Sequence, residues 1–475
     1  MNNKKSVLAV ALAIVIGVAV FFGFRQAPMQ YRTDHGLCRV TPQAVCDRAA
    51  WSVESRKTAE SAAVAGDDIH LGFIEFDDQG QLWDRGRADE VLGAVRALAA
   101  QRPVSIVVFA HGWNHNASVD DSNVLSFRQM LRDLFDAEAR FAQLANRSQD
   151  RAIVGIYLGW RGKSATGPFQ YPTFWARKTT AQRVGNDGAF EILYRLSAIR
   201  NGGVQPARNR LVMVGHSFGG ALMFTATAHA LTGSLEDMSI GRGKRFADLV
   251  VIINPAIEAQ RFESLFRRSR ELEASLRGQM PLMVVITSAG DLATKVAFPL
   301  GRWFATLFNS YRPAQAPTGS SGLMLDEAAA DRTAVGHYAP YLTHVLAPCV
   351  AESAMAALQS CSPQTTPVAS THDFNDPQYL QAVRSTATAW KKDREAANWH
   401  IQFPTAVLLH AAGPVNGPVM NVITHQSLIL GHNGIWGSPV MLFVRDLIAV
   451  DHLVDRSVEP TAAAEPTAAV SSQPH

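Results

Sequence analysis

Cysteine is scarce in this chain, four among 475 residues, and the two pairs are Cys38 with Cys46 and Cys349 with Cys361. So few argue against a disulfide-built fold, and the spacings argue against structural zinc: neither pair has the tight C-x2-C arrangement and no nearby histidine pair completes one. Each pair has a spacing that closes a short loop in an oxidising compartment; four unpaired thiols are the alternative. Cys38, preceded by Gly36-Leu37, lacks a lipid-attachment context. Charge of one sign is also missing. The formal net charge is +3, with no run of Lys and Arg interleaved with aromatics, which argues against a nucleic-acid partner. There is no internal repeat, and a 47% hydrophobic composition is that of a folded chain large enough for one enlarged domain.

Long apolar runs are absent except at the N-terminus. Lys4 and Lys5 precede Val7 to Phe24, eighteen apolar or glycine residues closed by Arg25. At 1.5 Å per helical residue that run spans about 27 Å, enough for a thin bilayer. Phe24-Arg25-Gln26-Ala27 forms no clear cleavage site, so residues 1–25 are expected to be an uncleaved signal anchor. A cleaved signal peptide and a soluble apolar N-terminus are the alternatives. The amine, Lys4 and Lys5 favour a cytoplasmic N-terminus, with membrane contact through this helix and the folded body outside the cytoplasm. Residues 26–67 then read as a juxtamembrane segment.

From His70 onward, short apolar runs alternate with helical stretches. The strands expected are His70 to Phe76, Val104 to Ala110, Ala152 to Leu158, Leu211 to Val214, Leu249 to Ile253 and Leu282 to Thr287. Helices are expected over Ala88 to Ala99, Leu125 to Leu144, Asp187 to Ile199, Gly220 to Leu231 and Arg261 to Leu276. Continuous apolar strands separated by helices of this length predict an α/β protein with a mostly parallel central sheet and helices on both faces. Its sites belong at the carboxyl ends of the strands. Residues 68–300 form the first part of this core, and regularity returns over residues 401–455, near Phe403 to His410 and Val419 to Ile423. Between them, 301–400 reads as an insertion or lid-like region, with mere surface elaboration as the alternative. Residues 456–475, rich in Ala, Pro, Thr and Ser, have the composition of a disordered tail.

One pentapeptide stands out. Gly215-His216-Ser217-Phe218-Gly219 lies between the apolar run Leu211 to Val214 and a small-residue helical stretch starting at Gly220. A strand, a sharp turn and a helix hold a serine hydroxyl out for attack, so Ser217 is the candidate nucleophile, with Gly215 and Gly219 allowing the close packing. The plain alternative is a serine capping a helix. A nucleophilic serine needs a base, a group orienting the base, and donors for the oxyanion. Asp291, in the loop after Leu282 to Thr287, is the candidate acid; Asp248 is its rival but precedes its strand. His432, flanked by Gly431 and Gly434, is the candidate base, with His425, His410 and His344 competing. The oxyanion donors expected are the N–H of Phe218 and that of Trp113, which follows Val104 to Ala110 in FAHGWNHN. His111, Gly112 and Asn114 would support that loop. Trp160 and Arg161, at the end of Ala152 to Leu158, point to the same edge as candidate substrate contacts, although a solvated or loop-pinning arginine is the favoured reading of Arg161. Phe174, Trp175 and Trp436 suggest an apolar substrate surface.

His111-Gly112-Trp113-Asn114 ahead of Gly215-His216-Ser217-Phe218-Gly219-Gly220, then Asp291 and His432, resembles the α/β-hydrolase superfamily, in particular bacterial serine esterase/lipase-like members. The resemblance covers roughly residues 68–300 and 400–450, and the nucleophile turn is its specific part. It implies an α/β-hydrolase fold and a Ser-His-Asp acyl-enzyme mechanism without a cofactor or metal, acting on an ester or lipid small molecule. With the anchor, it implies a bacterial inner-membrane protein facing the periplasm. Acyl transfer or thioester hydrolysis by the same triad, and a membrane-tethered non-catalytic binding scaffold, are the alternatives. The long interval between Asp291 and His432 departs from the compact pattern.

Overall fold

The computed structural model describes residues 12–17, 50–55, 68–144, 151–164, 170, 173–276, 279–312, 326–351, 353–361, 377–392, 400–411, 417–436 and 439–453. The strands are β1 (Trp51–Ser55), β2 (Asp68–Glu75), β3 (Val104–Ala110), β4 (Ala152–Gly159), β5 (Arg210–His216) and β6 (Leu249–Ile253). They continue with β7 (Met283–Ser288), β8 (His344–Ala347), β9 (His400–Gln402), β10 (Val407–His410) and β11 (Val419–Thr424). All join one sheet in the order β1-β2-β4-β3-β5-β6-β7-β11-β8-β10-β9. From β2 across to β8 every neighbouring pair is parallel. The antiparallel pairs, β1 with β2 and β10 with β8 and β9, lie at the two edges.

Burial on both faces explains why the central strands read as unbroken apolar runs. Successive side chains of β3 alternate between two cores: Val104, Ile106 and Val108 enter one, Val107 and Phe109 the other. The first core is closed by helices 85–101, 174–186, 188–200, 218–239 and 259–271, the second by helices 122–144, 377–392 and 439–453. Connections from β3 run back towards β2 through β4, whereas those from β5 run the other way through β6 and β7. The carboxyl ends of β3 and β5 therefore flank the point where the winding reverses, where an open α/β sheet leaves a crevice.

The interval 301–400 contributes β8 to the sheet, paired in parallel with β11. Cys349 and Cys361 form a disulfide beyond it, against a small core containing Val345, Ala347, Val407 and Leu409. Cys38, Cys46 and the tail 456–475 lie outside the described residues, as does most of 26–67, where β1 is the described element.

The expectation of a membrane-spanning helix over 1–25 is corrected. Among the described residues no helix is long and apolar enough to cross a membrane. Of the apolar run only residues 12–17, which are helical, are described. The rest of the run lies outside the described residues. The membrane partner, the signal anchor and the periplasm-facing placement that rested on a spanning helix are withdrawn with it.

Candidate active site

Strand β5 ends at His216 and the next helix begins at Phe218, so Ser217 alone makes the turn, at φ 55° and ψ −116°. A non-glycine residue at positive φ is strained by about 1–3 kcal/mol and persists only where its surroundings hold it. Here they do. The Ser217 N–H donates to the Ile253 carbonyl at 3.0 Å, and its carbonyl accepts from the N–H of Ala221 at 3.1 Å and of Ala256 at 3.3 Å. Glycine is required beside it: a Cβ on Gly219 would lie 2.0 Å from the Ala110 carbonyl oxygen, and one on Gly215 2.5 Å from that of Gly219. The Ser217 side chain makes no capping bond to the helix it precedes.

Its hydroxyl instead faces a histidine. Ser217 Oγ lies 2.7 Å from His432 Nε2, and His432 Nδ1 lies 2.8 Å from Asp291 Oδ2. Ionised Asp291 accepts only, so Nδ1 carries the imidazole proton and Nε2 is free to accept from the serine. Asp291 is fully buried, and burial by itself raises its pKa. The His432 hydrogen bond and charge and the Thr294 donors outweigh that, and the carboxyl is held below its ordinary range. Its Oδ1 accepts from the N–H of Ala293 at 2.9 Å and of Thr294 at 3.2 Å, while Oδ2 accepts from Thr294 Oγ1 at 2.5 Å. Asp291 thus caps the following helical turn and orients the histidine at once.

His216 and Asn254, neither of them given a role by the sequence, hold the His432 loop. The His432 carbonyl accepts from His216 Nε2 and from Asn254 Nδ2, both at 2.9 Å. Asn254, just past β6 and at φ 46°, also accepts the Ser288 N–H through Oδ1 at 2.9 Å. Ser288 Oγ in turn donates to the Ile429 carbonyl at 2.9 Å. Burial lowers the His216 pKa to about 3, which keeps that ring neutral. Only the fold could reveal these contacts, since His216 and His432 are 216 positions apart.

The 111–114 loop runs against the serine: a Cβ on Gly112 would lie 3.1 Å from Ser217 Cβ. Asn114 takes φ 67° and its N–H donates to the Gly162 carbonyl at 3.1 Å. Fully buried His111 is a strut. Its Nδ1 donates to the Gly112 carbonyl at 2.9 Å, its Nε2 accepts the Trp160 N–H at 3.1 Å, and burial lowers its pKa to about 4. Trp160 stacks on His111 and donates from Nε1 to the His111 carbonyl at 3.0 Å, so it is buried in the loop's support rather than turned to a ligand. Arg161 is ion-paired to Asp78, as is Arg177 at 2.8 Å. The Arg161 guanidinium thus ties the segment after β4 to the turn after β2. Phe218 opens its helix, where the backbone N–H has no acceptor one turn back. Its ring packs 4.7 Å from Phe174, which meets the half-buried Trp113 edge-on at 5.4 Å.

The rival residues are engaged elsewhere. Asp248, at the amino end of β6, pairs with Arg200 at 2.6 Å and accepts the Leu211 N–H at 2.7 Å. His344 and His410 pack on one another at 4.7 Å, and His425 Nδ1 bonds Ser427 Oγ at 2.8 Å. Trp436 packs on Phe109 and donates to Asn123. Trp175 stands edge-on to Phe174. Among the described residues no cluster of His, Cys, Asp or Glu is arranged to hold a metal ion. Comparison of the chain with protein-family models and with curated proteins gave no match.

Proposed function

We propose that this chain is a serine hydrolase of the α/β-hydrolase kind, cleaving carboxylic esters or lipids through an acyl-enzyme. The observation that carries the reading is the line of contacts from Ser217 Oγ to His432 Nε2 at 2.7 Å and from His432 Nδ1 to Asp291 at 2.8 Å. A strained serine, unused as a cap and bonded to an imidazole oriented by a buried carboxylate, has the geometry that general-base activation needs.

In this reading Ser217 Oγ attacks the ester carbonyl carbon as its proton passes to His432 Nε2. The carbonyl oxygen takes the electron pair, and the N–H groups of Phe218 and Trp113 are the donors assigned to it. Collapse breaks the carbon–oxygen bond, and His432 gives its proton to the departing alcohol. Water then repeats the sequence on the acyl-enzyme, with His432 again base and then acid, releasing a carboxylic acid and restoring Ser217. Asp291 keeps its negative charge throughout, in accord with its lowered pKa.

Hydrolysis of p-nitrophenyl esters from acetate to decanoate tests the reading. Ser217→Ala and His432→Ala are each expected to lower kcat by about 10³-fold or more, while leaving the folded state intact. Activity that survives both substitutions would remove Ser217 and His432 from the chemistry.

A further inference from the structure

The contacts do not stop at Asp291. Thr294 Oγ1 lies 2.5 Å from Asp291 Oδ2, and on its other side 3.1 Å from His337 Nε2. Thr294 is buried, and a threonine hydroxyl has one proton to give and lone pairs to receive. Since ionised Asp291 can only accept, the hydroxyl proton belongs to Asp291, and the Thr294 oxygen must accept the Nε2 proton of His337.

The turn that delivers His337 is fixed tightly. The Val335 N–H donates to the Ile257 carbonyl at 3.0 Å, and the Val335 carbonyl accepts from Asn421 Nδ2 at 3.0 Å. Gly336 is wedged on the end of β7, where an added Cβ would come 1.8 Å from Thr287 Oγ1. A neutral ring suits a donor in this place, and burial lowers the His337 pKa to about 4, against the opposing pull of Asp291 and with a small push from Lys295.

We infer that His337 and Thr294 are positioning residues for the triad: His337 fixes the Thr294 hydroxyl so that its proton always faces Asp291, and Asp291 in turn holds His432. This rests on the serine-hydrolase reading. It gives the long interval between Asp291 and His432 a part in the site, because His337 comes from that interval. Two donors on Oδ2 make Asp291 a weaker base than one would, so it orients the imidazolium formed in the reaction without taking its proton. A hydroxyl released from His337 is free to rotate away, and the His432 ring loses part of its restraint.

The test is a double-mutant cycle on His337→Ala and Thr294→Val, read by ester kcat and KM and by the second-order rate of reaction with a fluorophosphonate. Each single variant is expected to lower kcat and the labelling rate by about tenfold, the size of one lost hydrogen bond, with KM nearly unchanged. The double variant should be no slower than Thr294→Val alone, because His337 acts only through Thr294. His337→Gln, whose amide can donate from a similar position, should restore most of the rate. Fully multiplicative losses, or a His337→Ala enzyme as fast as the parent, would overturn the inference. If the parent protein neither hydrolyses esters nor labels, the functional reading itself fails, and proton NMR still decides the positioning role. The His432 Nδ1 proton, identified by its loss in His432→Ala, should broaden in His337→Ala and sharpen again in His337→Gln. An unchanged resonance in His337→Ala would contradict it.

Discussion

At the residue scale, the site depends on groups that do no chemistry. Asn254 accepts the Ser288 N–H and donates to the carbonyls of Gly431 at 3.3 Å and His432 at 2.9 Å, tying the end of β7 to the loop that carries His432. Its positive φ suits asparagine better than most side chains. Asn254→Ala should therefore lower kcat by about tenfold or more through misplacement of His432, with a much smaller change in KM. Steady-state kinetics on one ester checks this; an unchanged kcat would show that the loop is held by other contacts. Ser217, Asp291 and His432 were legible in the sequence because each sits in a short glycine-marked or strand-end segment. Asn254, Thr294 and His337 were not, since nothing in the sequence marks a role for them and each gains its place from partners brought near by the fold.

At the element scale, the helix after Ser217 shows how one residue type takes opposite roles. Gly219 meets the backbone of Ala110 and His111, with an added Cβ only 2.0 Å and 2.5 Å from their carbonyl oxygens. Gly233, farther along the same helix, has nothing within 4 Å of its added Cβ. Gly219→Ala should destabilise by about 3 kcal/mol and abolish activity, because backbone cannot give way as a side-chain end can. Gly233→Ala should stabilise by about 0.5–1 kcal/mol through helix propensity. Urea unfolding of the two variants decides it, and equal effects would contradict this account of the turn. The central strands were readable as apolar runs because both their faces are covered. Helix 174–186 was not, for its buried face carries Arg177, Lys178 and Thr180. Those charges are satisfied only in three dimensions, Lys178 by Glu258 at 2.6 Å and Arg177 by Asp78 at 2.8 Å. Nor could β8 be found in an interval that looks irregular, since four residues are too short a run to carry a period.

At the scale of the whole molecule, the buried histidines His111 and His216 and the half-buried His337 set an acid limit on stability. Burial lowers the pKa of His111 to about 4, of His216 to about 3 and of His337 to about 4, from an ordinary value of 6.5. The unfolded chain therefore binds protons at these rings before the folded one does. Their contribution is fully present above about pH 6.5 and is lost as pH falls towards about 4, at about 1.4 kcal/mol per pH unit for each ring. The urea midpoint should fall steeply between pH 6.5 and pH 4.5, and less steeply in His111→Gln; a flat profile would mean that these rings are hydrated. The same sheet places Ser217 after β5, Asp291 after β7 and His432 after β11 at one edge. Whether that edge activates Ser217 is the central claim. Labelling of the purified protein by a fluorophosphonate, with the modified peptide located by mass spectrometry, tests it most directly. The account predicts one adduct per chain on Ser217, absent after heat denaturation and strongly slowed in His432→Ala; folded protein left unmodified, or modified elsewhere at the same rate, would contradict it.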